Sequence, residues 1–361
     1  MAGRRQRRHG EDHCALCVLA VRFAFASLVF VGSGPAPLAG TATSSRSVNR
    51  TESPDGYRIE YNWVDVSGTA RRISLPIPRS ELDASEQALG FSAAELRMFL
   101  IEAEARIREE QGLSALDIAR QVVSQVSDPA RCRVSEDPQS NFNFVMRTDM
   151  TGRPDGQAEI DRVLSACERR WESSRKKVGD LLRKELKAYA RARGMEVTPR
   201  GIAVDYRQLV RASAARLKPL AEEFRRTFGS SRADLLDAVY SFVQSIPYRS
   251  TPPVDNGRYT AGIAVPLKVL ADDQGDCDSK AVLFAALWTE LSNVRTILIR
   301  VPGHMLVGVA VPSLKGGLLT LPSGNYLLLE VSCSDGTPPG RITRHSAEAL
   351  DAQNFKYRIV S

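Results

Sequence analysis

Gly275-Asp276-Cys277-Asp278-Ser279-Lys280-Ala281-Val282-Leu283-Phe284-Ala285-Ala286-Leu287-Trp288 decides the fold, because it joins a turn, a helix start and a buried helix without interruption. Glycine permits the turn. Asp276 is the right residue type to cap a helix N-terminus, which sets Cys277 in the first helical turn. From Ala281 to Leu287 the residues are apolar on every side, so this helix is predicted to be buried all round. A thiol there faces unpaired backbone N–H groups and the positive end of the helix dipole, and both favour a thiolate. A cysteine that merely fills space in a core is the competing reading.

Outward from this helix the pattern is one of short strands. Ser231 caps a preceding helix that carries Leu235, Leu236, Val239, Tyr240 and Val243 and ends near Ile246-Pro247-Tyr248. A Pro- and Gly-rich loop follows (252–257), and Pro266-Leu267-Lys268-Val269-Leu270 leads into Cys277. Beyond the helix, strands are predicted over 294–301, 304–311 and 326–332, with a turn at Pro302-Gly303 and a polar connection over 312–325. A thiol nucleophile needs a proton acceptor, usually histidine. The chain has 4 histidines. His9 and His13 fall in an N-terminal segment read below as a signal, and His345 sits in the polar Arg341–Ser346. His304, opening an apolar strand, is the remaining base. If the strands holding His304 and Glu330 pair antiparallel about Gly317, the two become cross-strand neighbours on one face. A carboxylate in the apolar stretch Leu327–Val331 needs a partner, and an imidazole that it orients supplies one. Nucleophile, base and orienting acid are thus read as Cys277, His304 and Glu330.

Over roughly residues 232–333 the chain resembles the transglutaminase-like superfamily, which has a papain-like cysteine-nucleophile fold. The resemblance rests on Phe242-Val243-Gln244-Ser245-Ile246-Pro247-Tyr248, Val269-Leu270, Gly275-Asp276-Cys277, His304 and Leu329-Glu330-Val331-Ser332, in that order. Glu330 stands where the family has Asp and Ser332 where it has Thr. Met305 and Leu306 replace the aromatic residue commonly found just after the histidine. The resemblance implies Cys277 as nucleophile, His304 as base and Glu330 as the acid that orients it. The implied reaction is acyl transfer, either hydrolysis of peptide or other amide bonds or cross-linking of glutamine to amines. A catalytically inactive module that keeps the fold for binding is the third reading. A backbone N–H at the helix start, that of Cys277, is one expected oxyanion donor; Gln244, Tyr248 and Gln274 are left open as the second. Asp276 and Asp278 flank the thiol and oppose its ionisation.

The rest of the chain sets limits. Its 361 residues suffice for two domains, and 43% hydrophobic with 25% charged residues is ordinary for a globular protein. The net charge of +7 falls to about +4 without residues 1–42, too mild to argue for nucleic acid. Residues 1–42 read as a signal peptide or membrane anchor: Arg4-Arg5-Gln6-Arg7-Arg8, an apolar run from Cys14 to Gly32, then Leu38-Ala39-Gly40-Thr41-Ala42. Export to the cell envelope is therefore expected, with envelope association through the N-terminus and a protein or peptide substrate. Cys14 and Cys17 belong to that segment. An oxidising compartment permits a Cys132–Cys167 disulfide, leaving Cys333 as a buried thiol.

Residues 43–56 read as a flexible leader and 57–230 as an α+β region of its own. Tyr57, Ile59, Tyr61 and Trp63 alternate with polar residues, as do Ile73, Leu75 and Ile77 across a Ser67-Gly68 turn, predicting a hairpin. Ser92 and Glu95 form a capping box for a helix running towards Val126. A further strand is predicted around Phe142, Phe144 and Met146. Residues 157–228 look mainly helical, with Val163, Ala166, Trp171, Val178, Leu181, Leu182 and Leu186 as an apolar stripe. Residues 231–361 are the transglutaminase-like domain. No phosphate loop, zinc set or calcium loop is present, so no cofactor or metal is expected. The fold class read from the chain is α+β, a nucleophile helix packed on an antiparallel sheet.

Overall fold

A computed structural model of the chain describes residues 46–125, 132–136, 144–148, 156–310, 317–333 and 336–361. The segment read as a signal or anchor lies outside the described residues, as does Phe142. No described helix is long and apolar enough to cross a membrane. The fold is mixed α+β with antiparallel sheets. It divides into two compact units, one of residues 96–186 and one of residues up to 95 together with 187–361. The boundary read from sequence at 230/231 falls inside the second unit.

The described residues begin with β1 (Ser47–Ser53), β2 (Gly56–Val64) and β3 (Ala70–Pro78), then α1 (Arg79–Gln87) and the two-residue β4 (Phe91–Ser92). The alternation read in β2 and β3 is real: Ile59, Tyr61, Trp63, Ile73, Leu75 and Ile77 are all buried. β1 corrects the flexible leader, since it pairs antiparallel with β2 from Ser47↔Asn62 to Ser53↔Gly56. Its side chains are almost all exposed, so backbone pairing alone makes the strand and no apolar period announces it.

The smaller unit is built from most of α2 (Ala93–Glu110), α3 (Ala115–Val123), β5 (Cys132–Glu136), β6 (Phe144–Thr148) and most of α4 (Gly156–Arg191). The Ser92–Glu95 capping box forms in both directions, at 2.7 and 3.1 Å. The helix it starts does not run on to Val126. Gly112, at φ +57°, ends it, and Ser114 caps the next by accepting from the Asp117 N–H. Val122 and Val123 pack on Val163 and Cys167. Cys167 is a buried free thiol in that apolar cluster, so the disulfide the sequence permitted is not made.

In the larger unit β7 (Met195–Thr198) and β8 (Gly201–Val204) form a hairpin across Pro199-Arg200, interrupting the helical run read over 157–228. Then come α5 (Tyr206–Arg216), α6 (Lys218–Phe228), α7 (Arg232–Ser245), β9 (Val254–Asp255), β10 (Arg258–Tyr259), α8 (Pro266–Asp272) and α9 (Cys277–Leu291). β11 (Thr296–Val301), β12 (His304–Val309), β13 (Leu318–Leu321), β14 (Gly324–Leu329), α10 (Arg344–Asp351) and β15 (Lys356–Ile359) complete the chain. The main sheet has the order β13-β14-β12-β11-β15, every pair antiparallel. Ile297, Ile299, Leu306, Tyr326 and Leu328 form the core of one face, with Leu350, Phe355 and Ile342 against them. The apolar helix α9, with Ala281 to Trp288 all fully buried, packs against β11 and β12 and against α5, α6, α7 and α8. Gly308 is required where β12 crosses: a Cβ there would meet Ile297 Cγ1 at 2.7 Å.

β1 and β2 are tied to the turn that precedes α9. Arg46 pairs with Asp273 and donates to Ser245 O (3.2 Å), Arg50 donates to Ala271 O (2.9 Å), and the Tyr61 hydroxyl donates to Leu270 O. The Arg46 side chain is only 7% exposed. Arg46→Met is therefore expected to cost about 2–3 kcal/mol by leaving Asp273 unpaired in a low-dielectric place. Urea unfolding measures this, and a loss under about 0.5 kcal/mol would show the pair to be no more than a surface contact.

Candidate active site

The sequence around Cys277 folds as its residue types dictate. The turn before α9 passes through Asp273 in the left-handed region (φ +52°). Asp276 then caps the helix: Oδ1 accepts from the Ser279 N–H at 2.9 Å and Oδ2 from the Thr251 N–H at 3.2 Å. That capping engages one of the two carboxylates beside the thiol with backbone donors, and its charge still opposes ionisation of the sulfur. Cys277 occupies the first helical position, where N–H groups have no intrahelical acceptor.

The imidazole and the carboxylate meet. His304 Nε2–H donates to Glu330 Oε1 at 2.6 Å. Glu330 is fully buried and His304 is 18% exposed at the side chain. The register that joins them differs from the sequence reading. β12 and β14 pair as Val307↔Leu329, Gly308↔Leu328 and Val309↔Leu327, so His304 aligns with Ser332 and Glu330 with Leu306. This is a shift of two residues, which preserves the face, and the bond runs diagonally. The cause lies in β13: it pairs with the far edge of β14, so the connection after β12 is not a direct hairpin centred on Gly317. Ser332, read only as a variation on Thr, gains a role. Its hydroxyl donates to Glu330 Oε1 at 3.2 Å and lies 3.5 Å from His304 Nε2.

The sulfur lies beside the start of the same strand. The Met305 N–H, one residue from His304, is near enough to pull its pKa down. With Nε2 given to Glu330, Nδ1 is the ring nitrogen left for a proton from sulfur. At rest the thiol donates instead to Asp278 Oδ1 at 3.4 Å, and among the described residues no hydrogen bond joins it to the imidazole. Burial pushes the Cys277 pKa well up, the Asp278 and Asp276 charges push it further, and the Met305 N–H opposes them.

The structure also sorts the residues left open. Gln244 is buried and its amide shares two N–H groups among the Tyr240 hydroxyl (2.9 Å), Glu330 O (3.1 Å) and Thr337 O (3.0 Å), so it fixes the Glu330 backbone and has no donor to spare. Gln274 accepts from Arg249. Tyr248 is 45% exposed, and after burial the chief influences on its hydroxyl are the charges of Cys277, Asp276 and Asp278, which raise its pKa. Two neighbours were missed. Tyr206, on α5, donates to Asp278 Oδ2, and Arg300 Nη2 donates to the Tyr206 hydroxyl at 3.3 Å. No local pattern marks Tyr206, which lies 72 positions before Asp278. Arg300 did leave a signal, as the one charge in the strand Thr296–Val301. His345, read as exposed in a polar stretch, is on α10 and its Nε2–H donates to Pro302 O at 2.8 Å. No family model, curated protein or solved structure matches the chain.

Proposed function

We propose that this chain is a cysteine enzyme of transglutaminase-like, papain-like type that hydrolyses peptide or other amide bonds. The observation that carries the reading is the His304–Glu330 bond of 2.6 Å on the strand against which the Cys277 helix packs. Glu330, held by Ser332, fixes the imidazole with Nε2 protonated. Nδ1 takes the proton of the thiol as the thiol turns from Asp278. The thiolate so formed exists as an ion pair with the imidazolium, which offsets the burial that otherwise keeps it neutral. Sulfur bonds to the amide carbon, the imidazolium gives its proton to the departing nitrogen, and the C–N bond breaks to leave a thioester. Water then cleaves the thioester, releasing a carboxylic acid and restoring the thiol.

The oxyanion is assigned to the Cys277 N–H and the Tyr248 hydroxyl. Tyr248→Phe is expected to lower kcat about 10- to 100-fold with little change in KM. An unchanged kcat would remove Tyr248 from the oxyanion site. Incubation with a glutamine peptide and a labelled amine tests the reaction itself: acid product alone supports hydrolysis, and incorporated label moves the assignment to transamidation.

One observation favours a second reading, a binding module that keeps the fold. The resting thiol donates to Asp278 Oδ1 at 3.4 Å, and burial together with the Asp278 and Asp276 charges pushes its pKa up. That reading expects Cys277 to resist iodoacetamide near neutral pH and Cys277→Ala to keep the cellular role.

A further inference from the structure

A row of side chains crosses the main sheet beside the nucleophile. Lys356 on β15 lies opposite Arg300 on β11, and Arg300 lies opposite Met305 on β12. Directly opposed residues share a face, with Cβ atoms about 5 Å apart. Lys356 and Arg300 are therefore like charges side by side, an arrangement that costs stability unless an anion lies between them. Lys356 is exposed, and its ammonium makes no hydrogen bond or ion pair among the described residues. Arg300 gives one hydrogen bond, to the Tyr206 hydroxyl, and its guanidinium lies 5.9 Å from the centre of that ring. It has no carboxylate within ion-pair distance among the described residues. The nearby acids are taken: Glu196 and Asp205 pair with Arg358 (2.8 and 3.8 Å), and Asp278 accepts from Tyr206 and the thiol. The row ends beside the sulfur: the Tyr206 hydroxyl that accepts from Arg300 donates to Asp278, and Asp278 accepts from the Cys277 thiol at 3.4 Å.

We propose that Arg300 and Lys356 form an anion subsite that binds a substrate carboxylate next to the scissile amide. The inference rests on the hydrolase reading for its substrate, but the subsite itself stands on the strand register. A planar guanidinium with unused donors suits a carboxylate held by two parallel hydrogen bonds, and the lysine adds a point charge. The preferred substrates are then acidic peptides, the carboxylate coming either from an Asp or Glu side chain or from a free chain end. Tyr206 holds the guanidinium in place and keeps Asp278 from claiming it.

The test uses thiol alkylation, which needs no known substrate. Rates at Cys277 for anionic iodoacetate and neutral iodoacetamide are read by peptide mapping, and their ratio is compared with that of free cysteine under the same conditions. The acids flanking the sulfur would by themselves lower the ratio. The subsite is expected to raise it at least about fivefold, with the excess shrinking as salt is added. Arg300→Gln should bring it to or below the free-cysteine value, and Lys356→Gln, at an exposed position where folding is not at risk, should reduce it in part. A ratio at or below that of free cysteine in the wild type, or one that neither variant changes, overturns the subsite and leaves the hydrolase reading untouched. A thiol inert to both reagents overturns both. A raised ratio in a protein whose Cys277→Ala variant keeps its role retains the subsite and rejects the catalysis. With turnover in hand, peptides differing only in an Asp, an Asn, a free carboxylate or an amide beside the cleaved bond separate the two carboxylate sources. Arg300→Gln is expected to raise KM for the acidic ones alone.

Discussion

Cys277→Ala and His304→Ala are each expected to lower kcat/KM by at least about a thousandfold, and the double variant is expected to lose little more, because residues that act as one unit are not additive. Glu330→Gln is expected to fall within about tenfold of His304→Ala. The amide keeps the shape of the acid but cannot stabilise the imidazolium, and it leaves a hydrogen bond of uncertain direction where Nε2–H now donates at 2.6 Å. Thermal unfolding should separate chemistry from folding. Cys277→Ala ought to melt like the wild type, whereas Glu330→Gln, altering a fully buried group, ought to melt lower. Turnover retained in Cys277→Ala, at any rate above about a tenth of the wild type, would end the nucleophile assignment.

These residues were legible because each violated its surroundings. A cysteine at a capped helix start, a histidine opening an apolar strand and a carboxylate inside another all stand out in a single sequence. The register between the last two was not legible. Alternation fixes which face a residue takes, but β13 returns along the outer edge of β14, and only the pairing itself sets the offset. β1 left no trace because its exposed side chains carry no pattern, and α10 and β15 were lost for a similar reason, being short and mostly polar. Asn256-Gly257, by contrast, carried a recognisable hairpin signal. With φ of +47° and +75° it turns β9 back onto β10, and it was read only as a loop. Tyr206 could not have been found at all, since its partner is distant in the chain and its own neighbourhood is an ordinary helix.

Lys280, one turn beyond Cys277, is expected to make stability depend on pH. Its side chain is wholly buried and Nζ donates to Gln244 O at 3.1 Å and Ile246 O at 2.7 Å, carbonyls at the end of α7. A neutral amine can still serve both acceptors, and burial brings the pKa from 10.5 down to about 7. Between those values the unfolded chain carries a proton that the folded chain lacks. Stability from this group therefore rises with pH across the window and is lost as pH falls towards 7. The slope is at most about 1.4 kcal/mol per pH unit. Urea unfolding of wild type and Lys280→Met at several values from pH 7 to 10 isolates it: the difference should widen in favour of the wild type as pH rises. Parallel curves would mean that the ammonium stays charged inside, held by the Glu330 and Asp273 charges.

The ties from the first sheet to the turn before α9 carry a kinetic consequence. Arg46, Arg50 and Tyr61 reach partners 227, 221 and 209 positions away. Contacts of such separation close large loops before they return any free energy, and chains dominated by them fold slowly. The Gly275–Cys277 corner should thus be among the last parts to become rigid. A nascent or partly refolded chain would hold the Cys277 thiol without its final surroundings until segments more than 200 positions apart had met.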